Sequence, residues 1–165
     1  MPATYEPIAT TTLSSTATSI TFNNIPGTYT DLRLVFIPIG SASMNVDMRF
    51  NNDSTTLYSN TVIYGDGSAA NSSRAVSQSR IRLTDYVNVS STPTLHIIDI
   101  FSYAGSTNKT CLIEQSMDNN GSGIVARYVG LYRSTSAITR IDLLNLVSTN
   151  FAVGTTATLY GILKA

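Results

Sequence analysis

Several residue types that particular functions require are scarce in this chain. Among its 165 residues there are one cysteine, one histidine and no tryptophan. The single cysteine excludes an intrachain disulfide. The single histidine excludes a metal site that takes two or three histidines from one chain. The sequence therefore offers little material for metal or redox chemistry.

Charge is also scarce, and it is evenly balanced. Only 12% of the residues are charged, and ten basic side chains offset ten acidic ones. These charges lie singly along the chain and form no basic stripe. Because binding to phosphates needs a local excess of cations, we do not expect nucleic acid as a partner.

Long hydrophobic runs and targeting signals are missing as well. No stretch approaches 18 uninterrupted apolar residues, and the start, MPATYEPIAT, has neither a basic nor an apolar signal region. We therefore expect no membrane association, and a protein that folds in the cytoplasm of the cell that makes it. A chain of this length fits a single domain over residues 1–165.

Small hydroxyl side chains are abundant instead. Serine and threonine supply 44 of the 165 residues, and hydrophobic residues make up 42%. That much apolar surface can offset the entropy lost on ordering the chain, so disorder is not expected. Hydroxyl residues at the outward positions of strands explain the composition.

Apolar and polar residues alternate at the spacing of half-buried strands. In residues 44–51, which read MNVDMRFN, every second residue is apolar, and the same period of two recurs at 19–23 and 80–87. Other segments have apolar residues at both odd and even positions, so both faces of the strand would be apolar. This predicts central strands or strands covered by a neighbouring subunit. These segments are 32–39, 95–103, 124–132 and 138–147.

Strands at 110–117 and 156–163 and a short one at 61–64 complete the inventory, which predicts about 8 to 10 strands. Many short antiparallel strands indicate an all-β antiparallel sandwich. Their number favours a jelly roll. An immunoglobulin-like sandwich is the nearest alternative, but its Cys, Trp, Cys pattern is absent.

Two polar segments are candidates for contacts with a partner. Residues 1–13 are rich in threonine, and we expect an extended N-terminal arm whose Tyr5, Ile8 and Leu13 contact a partner. Residues 65–79, GDGSAANSSRAVSQS, are too polar for the core and too long for a tight turn. We expect a surface loop there, with Asp66 and Arg74 as candidate contacts.

Catalysis by a thiol would have to use Cys111 as nucleophile and His96 as base. Apart from Lys109, nothing in NKTCLIEQ lowers the pKa of a thiol, and His96 lies within a predicted strand, TLHIIDIF. A sheet histidine with one hydrogen-bond partner and a small buried cysteine explain both residues. We therefore predict no catalytic residue and no enzyme.

Carboxylates and other oxygen ligands give no clearer site. Glycoside hydrolysis needs a pair of acids such as Asp47 with Asp53 or Asp99 with Glu114, but single acids on strands are usually solvated or paired with arginine. The segment DNNGSG at 118–123 superficially resembles a calcium loop, although its glycine and acid spacing is wrong for one. A hairpin turn with Asn-Gly explains it, and we predict no metal and no cofactor.

Three segments resemble, in this order, a group of small tailed-bacteriophage virion proteins. Residues 25–32 read IPGTYTDL, residues 49–53 read RFNND, and residues 151–161 read FAVGTTATLYG. The resemblance covers most of the chain. In the first segment Pro26 and Gly27 fit the middle of a type II turn, which needs a positive φ at Gly27.

The resemblance implies a structural protein located in the virion, on the capsid surface. Members of the group look like capsid decoration (cement) proteins or like tail-fibre and receptor-binding modules. As a cement protein the chain would form a homotrimer, bind the major capsid protein and stabilise contacts between capsomers. As a receptor-binding module it would bind a glycan through exposed aromatic side chains.

Overall fold

A computed structural model of the chain describes residues 4–84, 89–118, 121–146 and 149–163. The described residues form twelve β-strands and no helix, and so include no helix able to cross a membrane. In chain order the strands are β1 (Tyr5–Thr12), β2 (Ser19–Phe22), β3 (Asp31–Ile37), β4 (Asp47–Phe50), β5 (Tyr58–Gly65), β6 (Ala70–Gln78), β7 (Ile81–Arg82), β8 (Leu95–Phe101), β9 (Lys109–Met117), β10 (Ile124–Tyr132), β11 (Ile141–Leu144) and β12 (Thr156–Ile162).

The strands form two antiparallel sheets, which confirms the predicted all-β sandwich. The large sheet has eight strands in the order β1-β12-β3-β8-β9-β10-β5-β6, and the small sheet has four in the order β2-β11-β4-β7. The first four strands alternate between the two sheets. The hairpins β5–β6 and β9–β10 stay within the large sheet and widen it on one side.

One hydrophobic core holds the sheets together. In β3 and β12 every second side chain is buried, and the residues between them are only partly buried. The largest buried side chains include Tyr58, Tyr128, Phe36 and Phe50. Burial of each such side chain stabilises the fold by about 2 kcal/mol, so this alternation is what fixes the register of the sheets.

Ten strands lie where the periodicity predicts them, although several are shorter. The predicted strand at 124–132 coincides with β10, whereas the one at 80–87 is reduced to β7. Part of that prediction, residues 85–88, lies outside the described residues. The structure has two further strands, β1 and β6, in segments that were expected to be an arm and a loop.

Strand β1 corrects the predicted N-terminal arm. Tyr5–Thr12 pair with β12 at the edge of the large sheet, and Ile8 and Leu13 pack against the core. Backbone hydrogen bonds from β12 and the β propensity of threonine hold a segment that has little apolar surface of its own. Residues 1–3 lie outside the described residues.

Strand β6 corrects the predicted surface loop at 65–79. Ala70–Gln78 pair with β5 and form the other edge of the large sheet, after a turn at 66–69. The residues of β6 are mostly exposed on both faces. Because neither face is buried, the strand lacks the apolar alternation by which it would be recognised.

Tyrosines close the corner formed by the IPGTYT segment. The Tyr103 hydroxyl donates to the Pro26 carbonyl and accepts from the Tyr29 N–H at 3.3 Å. The ring of Tyr29 lies against Gly161 on β12, where a Cβ would come within 2.3 Å of the ring. Gly27 does not have the positive φ that a type II turn needs, so that prediction is wrong.

The RFNND segment forms a second corner, at the end of β4. Asn51 has a φ of 53°, and its side-chain oxygen accepts from two backbone N–H groups of residues 139–140 at 2.9 and 3.2 Å. Asp53 accepts from the Tyr132 hydroxyl at 2.8 Å. The rings of Tyr58 and Tyr132 stack with 4.6 Å between their centroids. The motif residues therefore have roles in the framework of the fold.

Candidate functional site: the two outer faces of the sandwich

The side chains of the large sheet that point away from the small sheet form an exposed surface, which we call the apolar face. Val125 and Val129 on β10 and Ile63 on β5 expose 64%, 52% and 59% of their surface, and Leu95 and Phe101 on β8 are also exposed. Exposed apolar side chains gathered on one face of a soluble protein often mark an interaction surface.

An ion pair lies in the middle of the apolar face. Arg127 on β10 is directly opposite Glu114 on β9, and the guanidinium contacts the carboxylate. Ile97 on β8 lies beside Glu114, and Ile63 on β5 lies beside Arg127. Four neighbouring strands therefore present one row across the face in the order apolar, acidic, basic, apolar.

A second ion pair lies towards the β1 edge of the same face. Arg33 donates to both carboxylate oxygens of Asp99, at 2.6 and 2.7 Å. Hydrogen bonding to Asp99 raises the pKa of Arg33. The guanidinium also lies over the ring of Tyr5, 5.6 Å from its centroid. Both ion pairs are neutral, so charge on the apolar face is locally balanced.

Two shallow grooves flank the ridge formed by Val125 and Arg127. One, of about 380 Å³, is lined by residues of β8, β9 and β10, and the other, of about 550 Å³, by residues of β10, β5 and β6. Their walls are mostly apolar, and both open to solvent. Grooves of this kind suit side chains of a protein partner better than an enclosed small molecule.

The outer side of the small sheet is different, and we call it the charged face. It carries two aspartates, Asp47 and Asp142, with the arginines that surround them. Asp142 is buried, accepts from Arg140 at 2.7 to 2.9 Å and accepts from Thr21 at 2.8 Å. Asp47 is bound by Arg80 at 2.9 Å. The strand partners of Asp47 and Asp142 are Arg82 and Arg49.

The candidate pair of His96 and Cys111 is not assembled. His96 is opposite Gln115, and Cys111 lies four residues further along β9, about 13 Å away. Both side chains are buried. Burial lowers the pKa of His96 to about 4 and raises the pKa of Cys111 to about 12. Burial thus favours the neutral thiol and the neutral imidazole.

The two candidate acid pairs are held by other groups. Asp99 and Glu114 are diagonal neighbours on the apolar face, about 7 to 8 Å apart, and each is bound by an arginine. Asp47 lies on the charged face, whereas Asp53 lies in the RFNND corner. Burial would raise the pKa of Asp53, but hydrogen bonds from Thr55 and Tyr132 outweigh it and lower the pKa.

The predicted contact residues of the arm are divided between two environments. Ile8 and Leu13 are partly buried against the core, so their role in the described structure is packing. Tyr5 is 47% exposed and lies beside Arg33 at the border of the apolar face. Of the three residues, Tyr5 is the one that the structure leaves accessible to a partner.

The predicted contact residues of the loop lie at the far end of the large sheet. Asp66 accepts from the Ser68 hydroxyl and from the backbone N–H groups of Ser68 and Ala69, and these bonds lower its pKa to about 2. Asp66 therefore shapes a turn. Arg74 on β6 is exposed, and its Nε donates to the Thr61 hydroxyl at 3.1 Å. Arg74 thus borders the apolar face.

The DNNGSG segment joins β9 and β10 as a hairpin. Asp118 accepts from the Gly121 N–H at 2.9 Å, and Gly121 has a φ of 92°, as a turn requires. The preceding Asn120 lies outside the described residues. No group of three or more His, Cys, Asp or Glu side chains that could hold a metal is found in the described part of the chain.

Val125, Val129 and Ile63 were not predicted as site residues, although their signal is in the sequence. Residues 124–132 are apolar on both parities. Only every second side chain of a strand can point into the core. The apolar side chains at the alternate positions must therefore form an apolar surface on the other face. Which side chains from other strands complete that surface depends on the register, which a strand's own sequence does not contain.

These features define the chain as an all-β sandwich with one apolar and one charged outer face. Comparisons with protein-family models, curated proteins and solved structures found no match to it.

Proposed function

We propose that this chain is a structural protein of a bacteriophage virion that decorates the capsid. It binds the major capsid protein on the outer surface of the shell and stabilises contacts between capsomers. It acts without catalysis or a cofactor. The homotrimer implied by the resemblance stays a prediction.

The observation that carries this proposal is the pair of unlike outer faces. The apolar face and the charged face lie on opposite sides of the sandwich, whereas His96 and Cys111 lie inside it. A protein that holds other proteins together needs extended surfaces, and an enzyme needs accessible reactive groups. The distribution of side chains therefore favours binding over chemistry.

The charged face is our candidate for contact with the capsid protein. Arg49, Arg80, Arg82 and Arg140 surround two aspartates there. Among the described residues the arginines outnumber the aspartates even when Asp53, which is within electrostatic reach of Arg49, is included. The resulting excess of positive charge complements an acidic protein surface. Arginine also forms planar, bidentate bonds to carboxylates, which makes such contacts specific in geometry.

The motif residues support a relation to the phage virion proteins, but they do not support capsid decoration as the function. Tyr29, Gly161 and Asn51 form contacts that close the two corners of the framework. Contacts of this kind stabilise the fold, whereas function resides in sites placed on a fold. The proposal of capsid decoration is therefore based on the apolar face and the charged face. The proposed relation to phage virion proteins is based on the three sequence motifs.

The strand order supports a jelly roll as part of the proposal. Without the hairpins β5–β6 and β9–β10, the remaining strands form two groups of four, β1-β12-β3-β8 and β2-β11-β4-β7. In these groups consecutive strands alternate between sheets except β4 and β7, which pair with each other in the small sheet, and this is the order that two Greek keys produce in a jelly roll. We propose a jelly roll whose first sheet is widened by the two hairpins.

Antibody labelling of intact virions tests the location. We expect label on the heads of particles, spread over the capsid surface. Label confined to tail fibres, together with retention of the purified protein on host cells or polysaccharide, would replace decoration by the receptor-binding alternative.

A further inference from the structure

We propose that the apolar face is the contact surface between two copies of this chain, which pack face to face about a two-fold axis. This association goes beyond capsid decoration, because it requires no capsid, and it is an alternative to the homotrimer that the resemblance implies. The axis runs parallel to the strands, between β9 and β10.

The register of the large sheet supports this axis. The central row of the face reads Ile97, Glu114, Arg127 and Ile63 across β8, β9, β10 and β5. A two-fold rotation between β9 and β10 reverses this row. Arg127 of one copy then lies over Glu114 of the other, and Ile63 lies over Ile97. The row is therefore complementary to itself in both charge and polarity.

The four central residues of the next row follow the same symmetry. Val129 on β10 is directly opposite Leu112 on β9, so the rotation places Val129 of one copy over Leu112 of the other. Thr61 on β5 lies beside Val129, and Asp99 on β8 lies beside Leu112, so a hydroxyl meets a carboxylate. At the two ends of this row, Arg33 on β3 of one copy lies over Arg74 on β6 of the other, and these like charges do not match. Packed sheets cross at about 30°, so the match applies near the axis and the two arginines lie at its margin.

The size of the face fits a stable pair. Three strands lie on the β6 side of the axis, so six strands overlap, from β3 to β6. At about 4.8 Å between strands and about 3.3 Å per residue, their overlap measures roughly 29 by 25 Å, or about 700 Å². A standard interface buries about 800 Å² on each partner.

The chemistry of the face argues for a second copy over other occupants. The two ion pairs on it are neutral, and Arg74 adds positive charge only at its border, which gives little attraction for a polyanion or an anionic membrane. A second copy supplies both the apolar cover and the matching charges without any further partner. The charged face stays accessible in such a dimer because it lies on the opposite side of the sandwich.

Sedimentation of the purified chain in the absence of capsids tests the contact, with the two charge reversals Arg127→Glu and Glu114→Arg. We expect a dimer for the wild type. Each variant alone places like charges over one another and weakens association by about tenfold or more. An equimolar mixture pairs two acidic with two basic side chains and restores dimers that contain one copy of each variant.

Restoration on mixing separates a contact between copies from damage within one copy, since misfolded variants would not rescue each other. Val129→Asp, in the centre of the face, should also give monomers, whereas Val153→Asp at a similarly exposed loop position should leave the dimer intact. A monomeric wild type, a trimer, association that survives Val129→Asp, or a mixture that stays monomeric would each overturn the proposal.

Discussion

The ring of Tyr29 lies so close to Gly161 that a Cβ at position 161 would be 2.3 Å from it. Tyr29 belongs to the IPGTYT corner near the start of the chain, and Gly161 belongs to the last strand. The contact therefore joins the first and last segments of the resemblance. Glycine is required at 161 because no larger residue leaves room for the ring.

We predict that Gly161→Ala destabilises the fold by about 1–3 kcal/mol, the cost of forcing extra atoms into a packed site. Denaturant unfolding measures the change. Combining it with Tyr29→Ala should cost less than the sum of the two single changes, because the smaller residue removes the clash. Gly65→Ala, whose Cβ would be 3.6 Å from its nearest neighbour, is the matched control. Strict additivity of the two changes would show that the contact is not what restricts position 161.

We predict that the protein loses stability in mild acid, because His96 is buried. Burial lowers its pKa in the folded protein to about 4, below the usual 6.5. Protonation therefore favours the unfolded chain, and stability is lost as the pH falls from 6.5 towards 4, by up to about 3 kcal/mol. Because the chain has one histidine, unfolding free energies measured between pH 6.5 and 5 report on this group.

The matched variant for this prediction is His96→Leu, which fills a similar volume without a titrating group. Its unfolding free energy should fall less than that of the wild type over the same pH range. An equal pH dependence in both proteins would show that His96 is protonated as readily in the folded state as in the unfolded state.

Lys109 holds two segments together through backbone carbonyls. Its side chain is buried, and its ammonium donates to the carbonyls of Gly105, Thr107 and Thr135. Lys109→Met should destabilise the protein by about 2–4 kcal/mol, because the carbonyls lose a charged donor. Thermal unfolding measures the effect, with Thr110→Met at the exposed neighbouring position as control. A stability equal to that of the control would contradict the role of the ammonium.

Substitutions in β1 test whether residues 5–12 form a paired strand in solution, as in the structure, or a free arm. Ile8→Ala should destabilise the fold by about 1–2 kcal/mol, since Ile8 packs against the core. The exposed Thr10→Ala on the same strand should change stability by less than about 0.5 kcal/mol. If both variants are as stable as the wild type while binding to capsids weakens with Ile8→Ala, the segment acts as an arm in solution.

The fold was predictable to the extent that strands carry their own apolar pattern. Strand β10 was predicted at its observed bounds because nine apolar-rich residues follow a glycine-containing turn. Strands β1 and β6 were missed because their partners β12 and β5 supply the hydrogen bonds that hold them. The corner of the IPGTYT segment was wrongly predicted to be a type II turn. Its closure depends on Tyr103, a residue far along the chain, which the local sequence does not indicate.

From the sequence alone, the candidate site could be predicted only in that some strands would need a partner to cover them. The residues that form the site could not be predicted. Segments with apolar residues at both odd and even positions predicted either central strands or strands covered by a neighbouring subunit. Residues 95–103 and 124–132 contribute to the apolar face, whereas 138–147 contains β11, an inner strand of the small sheet. The row that runs from Ile97 to Ile63 takes one residue from each of four strands. Its alternation of charge arises from the register between strands, which no single segment contains.

The most direct measurement of the central claim is binding to capsid shells that lack this protein. Under the proposal of capsid decoration, shells assembled from the corresponding major capsid protein are mixed with purified protein and sedimented, and bound protein is quantified. We expect saturable binding and greater resistance of the decorated shells to heat. Binding should weaken with Arg80→Glu on the charged face, and Arg74→Glu on β6 serves as the control. Shells that neither retain the protein nor gain stability from it would contradict capsid decoration.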